Sequence, residues 1–275
     1  MALTELQRII CRILAEHRIA QAESYVAGGA ALNFLAGAQR ISRDIDLFHD
    51  TQAALEAAWA SDRRSLLAAG LDIAEVRERP GYVEARVTSG NAGVLMQWTR
   101  DSAYRFFPLV RHEDLGLVLH PFDLATNKVL ALVGRLEARD WIDVITCHER
   151  IQPLGYLAWA ACGKDPGFSP ASILDQAGRS ARYSSDEIHE LSFEANAPDA
   201  AELSRKWHSL MEEAREVIRM LPPEHVGKCV MTVGGELCGD RPAALAEAIE
   251  GNAVRFHAGR IKGAVPDFSR VQSHM

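Results

Sequence analysis

The 275-residue chain is 48% hydrophobic and 24% charged, the size and composition of a soluble globular protein with one large domain or two modest ones. Its net charge of −7 argues against a protein that binds by blanketing nucleic acid, although a local basic cluster can still hold RNA. No run reaches the roughly 20 apolar residues of a membrane-spanning helix, and the five scattered cysteines form no CxxC pair, which argues against a disulfide framework or a cysteine zinc site.

The first residues lack the basic, apolar and small-residue order of a signal peptide, so the expected location is the cytoplasm. Residues 4 to 17 carry Leu6, Ile9, Ile10, Ile13 and Leu14 at helical spacing. Tyr25-Val26-Ala27 leads into Gly28-Gly29 and an apolar run, a turn opening a helix. Ile45, Leu47 and Phe48 alternate with Asp44 and Asp46 and predict a strand. A second amphipathic helix spans 52 to 69 and closes at Gly70.

Three strands are expected next, Leu71 to Glu78, Tyr82 to Thr88 and Val94 to Trp98, the last two paired as a hairpin. From Pro121 the pattern turns helical, with Pro/Gly-rich breaks near 163–170, 196–198 and 222–223 and a short hairpin expected at 228–239. Trp159, Trp207 and the Leu/Met positions of 203–220 read as core, and Cys229 and Cys238 as reduced thiols. The expected division is an α/β core over 1–120 and a helical domain over 121–275, whose first helices (121–150) complete the active site.

The chemistry concentrates in GGAALNFLAGAQRISRDIDLF. Glycines at the mouth of a helix let a phosphate reach backbone N–H groups, where the helix dipole favours an anion. Asp44 and Asp46, two apart on a strand, leave the same face. Such a pair suits Mg²⁺ (or Mn²⁺), which prefers oxygen ligands and shares itself with substrate phosphates. Arg43 points to the other face and supports rather than ligates, and Ser42 either contacts a phosphate or stabilises the loop. His49 is expected at the surface, and Arg105 as a base or phosphate contact.

Gly28-Gly29, Arg40, Ser42 and Asp44-Ile45-Asp46-Leu47-Phe48 resemble the first motif of the AbiEii/AbiGii (MenT-like) nucleotidyltransferases, and DLATNKVLALVGRLEARDWID resembles a second block. The likeness covers roughly residues 20 to 150. It implies an α/β (α+β) polymerase-β-type core with a mixed sheet and a helical C-terminal domain. It also implies transfer of a nucleotide from an NTP to a tRNA or RNA 3′ end or a protein side chain, with an antitoxin protein as partner. By the same resemblance Asp44, Asp46 and Lys128 are catalytic, and Gly28, Gly29, Arg40, Ser42, Arg139 and Asp143 bind nucleotide. On one continuous helix, Lys128, Arg135 and Arg139 would share a stripe able to meet phosphates.

One position departs from the pattern. The strand that carries a third aspartate in such enzymes reads Val94-Leu95-Met96-Gln97-Trp98, with Gln97 in its place. Gln97 can ligate through its amide oxygen but carries no charge and cannot act as a base. Glu84 or Asp101 could substitute. Two other readings remain open: a nucleotidyltransferase acting on small molecules, and a weakened core that binds nucleotide without turnover.

Overall fold

The computed structural model describes residues 3–180 and 183–267. In chain order the elements are α1 (Glu5–Gln21), β1 (Ser24–Ala27), α2 (Gly28–Leu35), β2 (Asp44–His49), α3 (Gln52–Ala68), β3 (Asp72–Arg79), β4 (Tyr82–Ser89), β5 (Ala92–Arg100), β6 (Tyr104–Arg105), β7 (Val110–His112) and β8 (Gly116–Val118). They continue with α4 (Pro121–Arg135), α5 (Ala138–Arg150), α6 (Leu154–Ala161), α7 (Pro170–Ala177), α8 (Ser185–His189), α9 (Ala200–Met220), β9 (Lys228–Thr232), α10 (Pro242–Glu250), β10 (Val254–Ala258) and β11 (Arg260–Ile261).

The chain forms two compact units. The first holds residues up to Ala103, Leu109–Leu124 and the short segment Ser192–Asn196; the second holds Tyr104–Pro108, Ala125–Leu191 and the residues from Ala197 on. The chain thus changes unit inside α4, a few residues past the boundary drawn from sequence, and each unit takes in a short segment from the other's stretch of chain.

The first unit is built on a seven-stranded mixed sheet of order β3-β4-β5-β2-β1-β8-β7. β2 runs parallel to β5 and antiparallel to β1, and β4–β5 is the expected antiparallel hairpin. Alternation splits the sheet into two faces. Ile45, Leu47, Val83, Ala85, Val87, Met96 and Trp98 are buried on one of them, the face that packs on α1 and α3. Thr4 and Gln7 close a capping box at the start of α1, and Thr51 caps α3 by accepting from the Ala54 N–H. The two helices are pinned by a buried pair, Arg18 Nη2 to Asp62 Oδ2 at 3.0 Å, and Trp98 Nε1 donates to the same oxygen at 2.8 Å. Both charges are about 1% exposed, so removing either alone would strand the other in the core.

The opposite face of the sheet carries Asp44 and Asp46 on β2, Gln97 on β5 and Glu84 on β4, all partly exposed. His49 corrects an expectation. It falls in step with Ile45 and Leu47 on the buried face, is fully buried, and lies 3.0 Å from Ser24 Oγ through Nε2 and 3.3 Å from the Thr99 carbonyl through Nδ1. Desolvation pulls its pKa down to about 4, with Arg18 lowering it further and the Thr99 carbonyl opposing.

The second unit is mostly helical. α6 and α9 pack together, and Trp159, Trp207, Leu203, Leu210 and Met211 are core residues as their spacing suggested. Pro170 and Asp199 begin α7 and α9 at the expected breaks, and all five cysteines are buried thiols outside any disulfide. The 228–239 hairpin needs correction: β9 pairs mainly with β10, a strand the sequence did not suggest, over five residues from Val254↔Thr232 to Ala258↔Lys228. The local turn survives only as a Met231↔Leu237 bridge with its flanking hydrogen bonds. Arg105 is also placed differently, buried on β6 against β11. Among the described residues no helix is long and apolar enough to cross a membrane.

Candidate active site

β1 ends at Ala27 in extended conformation and the chain turns at once into α2, which begins at Gly28 with φ +68°. A side chain is disfavoured there by conformation, and a Cβ on Gly28 would stand 1.7 Å from Asp46 Oδ2. The register explains this contact, because Ala27 lies directly opposite Asp46 across the β1–β2 pair. Gly28 is therefore the residue that lets the β2 carboxylate approach the mouth of α2.

The next glycine meets the loop before β2. A Cβ on Gly29 would lie 3.1 Å from both Arg40 Nη2 and Ser42 Oγ. Arg40 and Ser42 are buried, so the guanidinium and hydroxyl are held in place behind the helix mouth. Two ties hold this loop. Gln7, itself fully buried on α1, donates to the Ser42 carbonyl at 2.8 Å. Residues 192–194 run alongside it: Ile41 N–H donates to the Ser192 carbonyl, Glu194 N–H to the Gln39 carbonyl, and Arg40 bridges Phe193. Arg43 donates to Ser192 Oγ from Nε at 3.0 Å and Nη2 at 2.8 Å, a support role in keeping with its place before the strand. This brace comes from 149 residues away in the Arg43–Ser192 pair and has no signature in the sequence.

Asp44 and Asp46 share one face of β2, each partly exposed. Gln97 stands opposite Asp46 on β5. Its amide Nε2 donates to Glu84 Oε2 at 3.3 Å, and the Tyr82 hydroxyl donates to the same oxygen at 2.7 Å. Burial first, then that bond and the charges of Glu84 and Asp46, push the Tyr82 phenol up to about 12, so it remains a donor at neutral pH. Asp101 lies past the end of β5, exposed, its N–H held by the His49 carbonyl.

Two strand carboxylates plus a neighbouring amide oxygen fit a magnesium ion, which commonly takes one or two carboxylates and completes its shell with phosphate and water. Among the described residues no three His, Cys, Asp or Glu side chains come together as a metal site. The donor set therefore fits a metal brought with a triphosphate better than a self-sufficient protein cage.

The second sequence block behaves differently. Lys128, Arg135 and Arg139 do not lie on one helix: α4 ends at Arg135, Leu136 takes φ +55°, and α5 starts at Ala138. The interruption turns Asp140 and Asp143 toward Lys128, whose Nζ lies 2.9 Å from Asp140 Oδ1 and 3.1 Å from Asp143 Oδ2. Arg135 forks onto both oxygens of Asp140 at 2.9 and 3.0 Å. Both carboxylates are fully buried and Lys128 is 8% exposed. Asp143 is thus an ion-pair partner of Lys128, and Arg139 pairs with Glu137 at 2.5 Å, both side chains partly exposed.

No protein-family model matches the sequence, and no curated protein matches it. Solved structures do resemble it. MenT4, a nucleotidyltransferase toxin from Mycobacterium tuberculosis H37Rv, matches with a TM-score of 0.54 at 13% identity, over 80% of this chain and 85% of that one. A Helicobacter pylori protein described as a candidate nucleotidyltransferase matches with a TM-score of 0.51 at 14% identity, over 80% of this chain and 99% of that one. At such identities the likeness is one of architecture, and the chain has the mixed-sheet fold of these nucleotidyltransferases.

Proposed function

We propose that the chain is a Mg²⁺-dependent nucleotidyltransferase that moves a nucleoside monophosphate from an NTP to a hydroxyl acceptor. The observation that carries this reading is the junction of Gly28 with Asp46: a helix mouth stripped of side chain at the point where a same-face carboxylate pair reaches it. Asp44 and Asp46 would hold the metal, which supplies charge neutralisation at the reacting phosphate. Backbone N–H groups at Gly28 and Gly29 would receive triphosphate oxygens, with Arg40 and Ser42 fixed behind them. The acceptor oxygen would form a bond to the α-phosphorus as the bond to pyrophosphate breaks, and the hydroxyl proton would pass to solvent.

The description of MenT4 as a nucleotidyltransferase toxin supports a toxin role, and the motif resemblance adds RNA or protein as the proposed acceptor and an antitoxin as the proposed partner. Purified protein given labelled NTPs is expected to label RNA or protein, and an Asp44→Ala/Asp46→Ala variant to label nothing. Wild type no better than that variant sinks the reading. Label appearing only on small hydroxyl compounds would assign a small-molecule enzyme instead. Gln97 in place of a carboxylate favours a second reading, nucleotide binding with slow or no turnover. Mg²⁺-dependent NTP binding without pyrophosphate release would select it.

A further inference from the structure

The sheet face that carries the Asp44/Asp46 pair holds one more carboxylate within its row. The register sets Asp46 opposite Gln97 and Gln97 opposite Glu84, so the three side chains stand in line across β2, β5 and β4. Glu84 is held by three donors: the Tyr82 hydroxyl at 2.7 Å, Arg77 Nη1 at 3.1 Å and Gln97 Nε2 at 3.3 Å. With Nε2 committed to Glu84, the amide offers Oε1 as its acceptor. An amide that donates to a carboxylate is polarised, and its oxygen becomes a better ligand, as an imidazole does when a carboxylate backs it at a metal site. Arg77 is 72% exposed, so solvent screens its charge and it does not cancel that of Glu84. Asp101 has no equivalent link: it lies four residues beyond Gln97, roughly 13 Å away at strand spacing.

Building on the nucleotidyltransferase reading, we propose that Glu84 is a positioning residue of the metal site, supplying through Gln97 the third negative charge that β5 itself lacks. The charge has moved one strand outward, with a neutral amide as its relay. Glu84 touches neither nucleotide nor acceptor in this role. It orients Gln97 Oε1 and raises the affinity of the site for its metal ion.

The test measures Mn²⁺ binding by electron paramagnetic resonance in the presence of a non-hydrolysable NTP analogue, beside the Mg²⁺ dependence of transfer. Glu84→Gln is expected to weaken Mn²⁺ binding and raise the Mg²⁺ requirement by about 10–100-fold, with the metal-free melting temperature close to wild type. The double variant Glu84→Gln/Gln97→Asp returns the charge to β5 and is expected to recover Mn²⁺ binding to within a few-fold. A purely structural Glu84 would show no such rescue. Should Glu84→Gln not fold, Gln97→Leu removes the link together with the amide oxygen and is expected to give at least that loss. Unchanged Mn²⁺ affinity, or a loss the double variant leaves uncorrected, overturns the proposal. Wild type that binds no Mn²⁺–nucleotide beyond the Asp44→Ala/Asp46→Ala level overturns the nucleotidyltransferase reading, and the role of Glu84 with it.

Discussion

On β2, Asp44 and Asp46 stand partly exposed on a sheet face, one of them pressed against a glycine at a helix mouth. On α5, Asp140 and Asp143 are fully buried, and each is met by Lys128, with Arg135 forked onto Asp140. Both pairs come from motifs with the same look in the sequence, acidic residues spaced two or three apart beside basic ones. The difference lies in what completes them. The β2 pair keeps oxygen donors on an accessible face, where a cation and phosphates can finish the coordination. The α5 pair is held by ion pairs inside its own unit, from Lys128 to both carboxylates and from Arg135 to Asp140, and has the character of a structural lock. One cluster lies on an accessible face, and the other is buried among its own ion pairs.

The sharpest way to break this contrast is to fill the glycine. Gly28→Ala would force a side chain into the space held by Asp46 Oδ2 and into a left-handed backbone conformation costing about 1–2 kcal/mol. A carboxylate displaced by even an ångström should lose about 100-fold in kcat/KM. Steady-state kinetics of labelled NTP transfer would measure it. Near-normal turnover in Gly28→Ala would show that the Asp46 contact is incidental and that the β2 pair is not the reacting centre.

The lock makes the opposite demand. Lys128→Met leaves Asp140 and Asp143 buried with Arg135 as the one cation shown beside Asp140, which should cost about 3–5 kcal/mol. That corresponds to a fall in melting temperature of roughly 10 °C. Differential scanning calorimetry on the apo protein checks it without any assay of function. A Lys128→Met protein that melts like wild type yet no longer transfers nucleotide would reverse the assignment and return Lys128 to the phosphates, where the family resemblance put it.

What the sequence could disclose follows from how far apart the partners are. Gly28-Gly29 and the Asp44/Asp46 pair were legible because their geometry is local: a tight turn into a helix, and a period of two along one strand. The β4–β5 hairpin was legible through Ser89-Gly90-Asn91 for the same reason. The break after Arg135 was not, since Leu136 and Glu137 carry no Pro or Gly and Gly134 lies inside α4. Moving that boundary dissolved the predicted cation stripe and created the Lys128–Asp140 pair. The Ser192 brace on the Arg40–Arg43 loop, the β9–β10 pairing and the Glu84–Gln97 bond depend on strands or segments meeting through the tertiary fold. Gln97 was recognisable as a departure, but only the cross-strand register showed which carboxylate stands next to it.

The smallest effect tests the back of the same strand. His49 shares β2 with Asp44 and Asp46 but faces the core, and its folded pKa of about 4 lies below the unfolded value near 6.5. The neutral imidazole is the form the fold accepts. Its contribution is therefore intact above pH 6.5 and drains away as pH falls toward 4, amounting to about 2–3 kcal/mol by pH 4.5. His49→Gln keeps a polar group near Ser24 Oγ and the Thr99 carbonyl while removing the titration. Urea unfolding at pH 7 and pH 4.5 should show wild type losing that much more than the variant between the two conditions, with little difference at pH 7. Equal losses would mean that His49 is charged in the folded protein. The alternation that puts a dry histidine behind the wet Asp44/Asp46 pair would then have failed at its last residue, and with it the argument that one strand separates a reacting face from a sealed one.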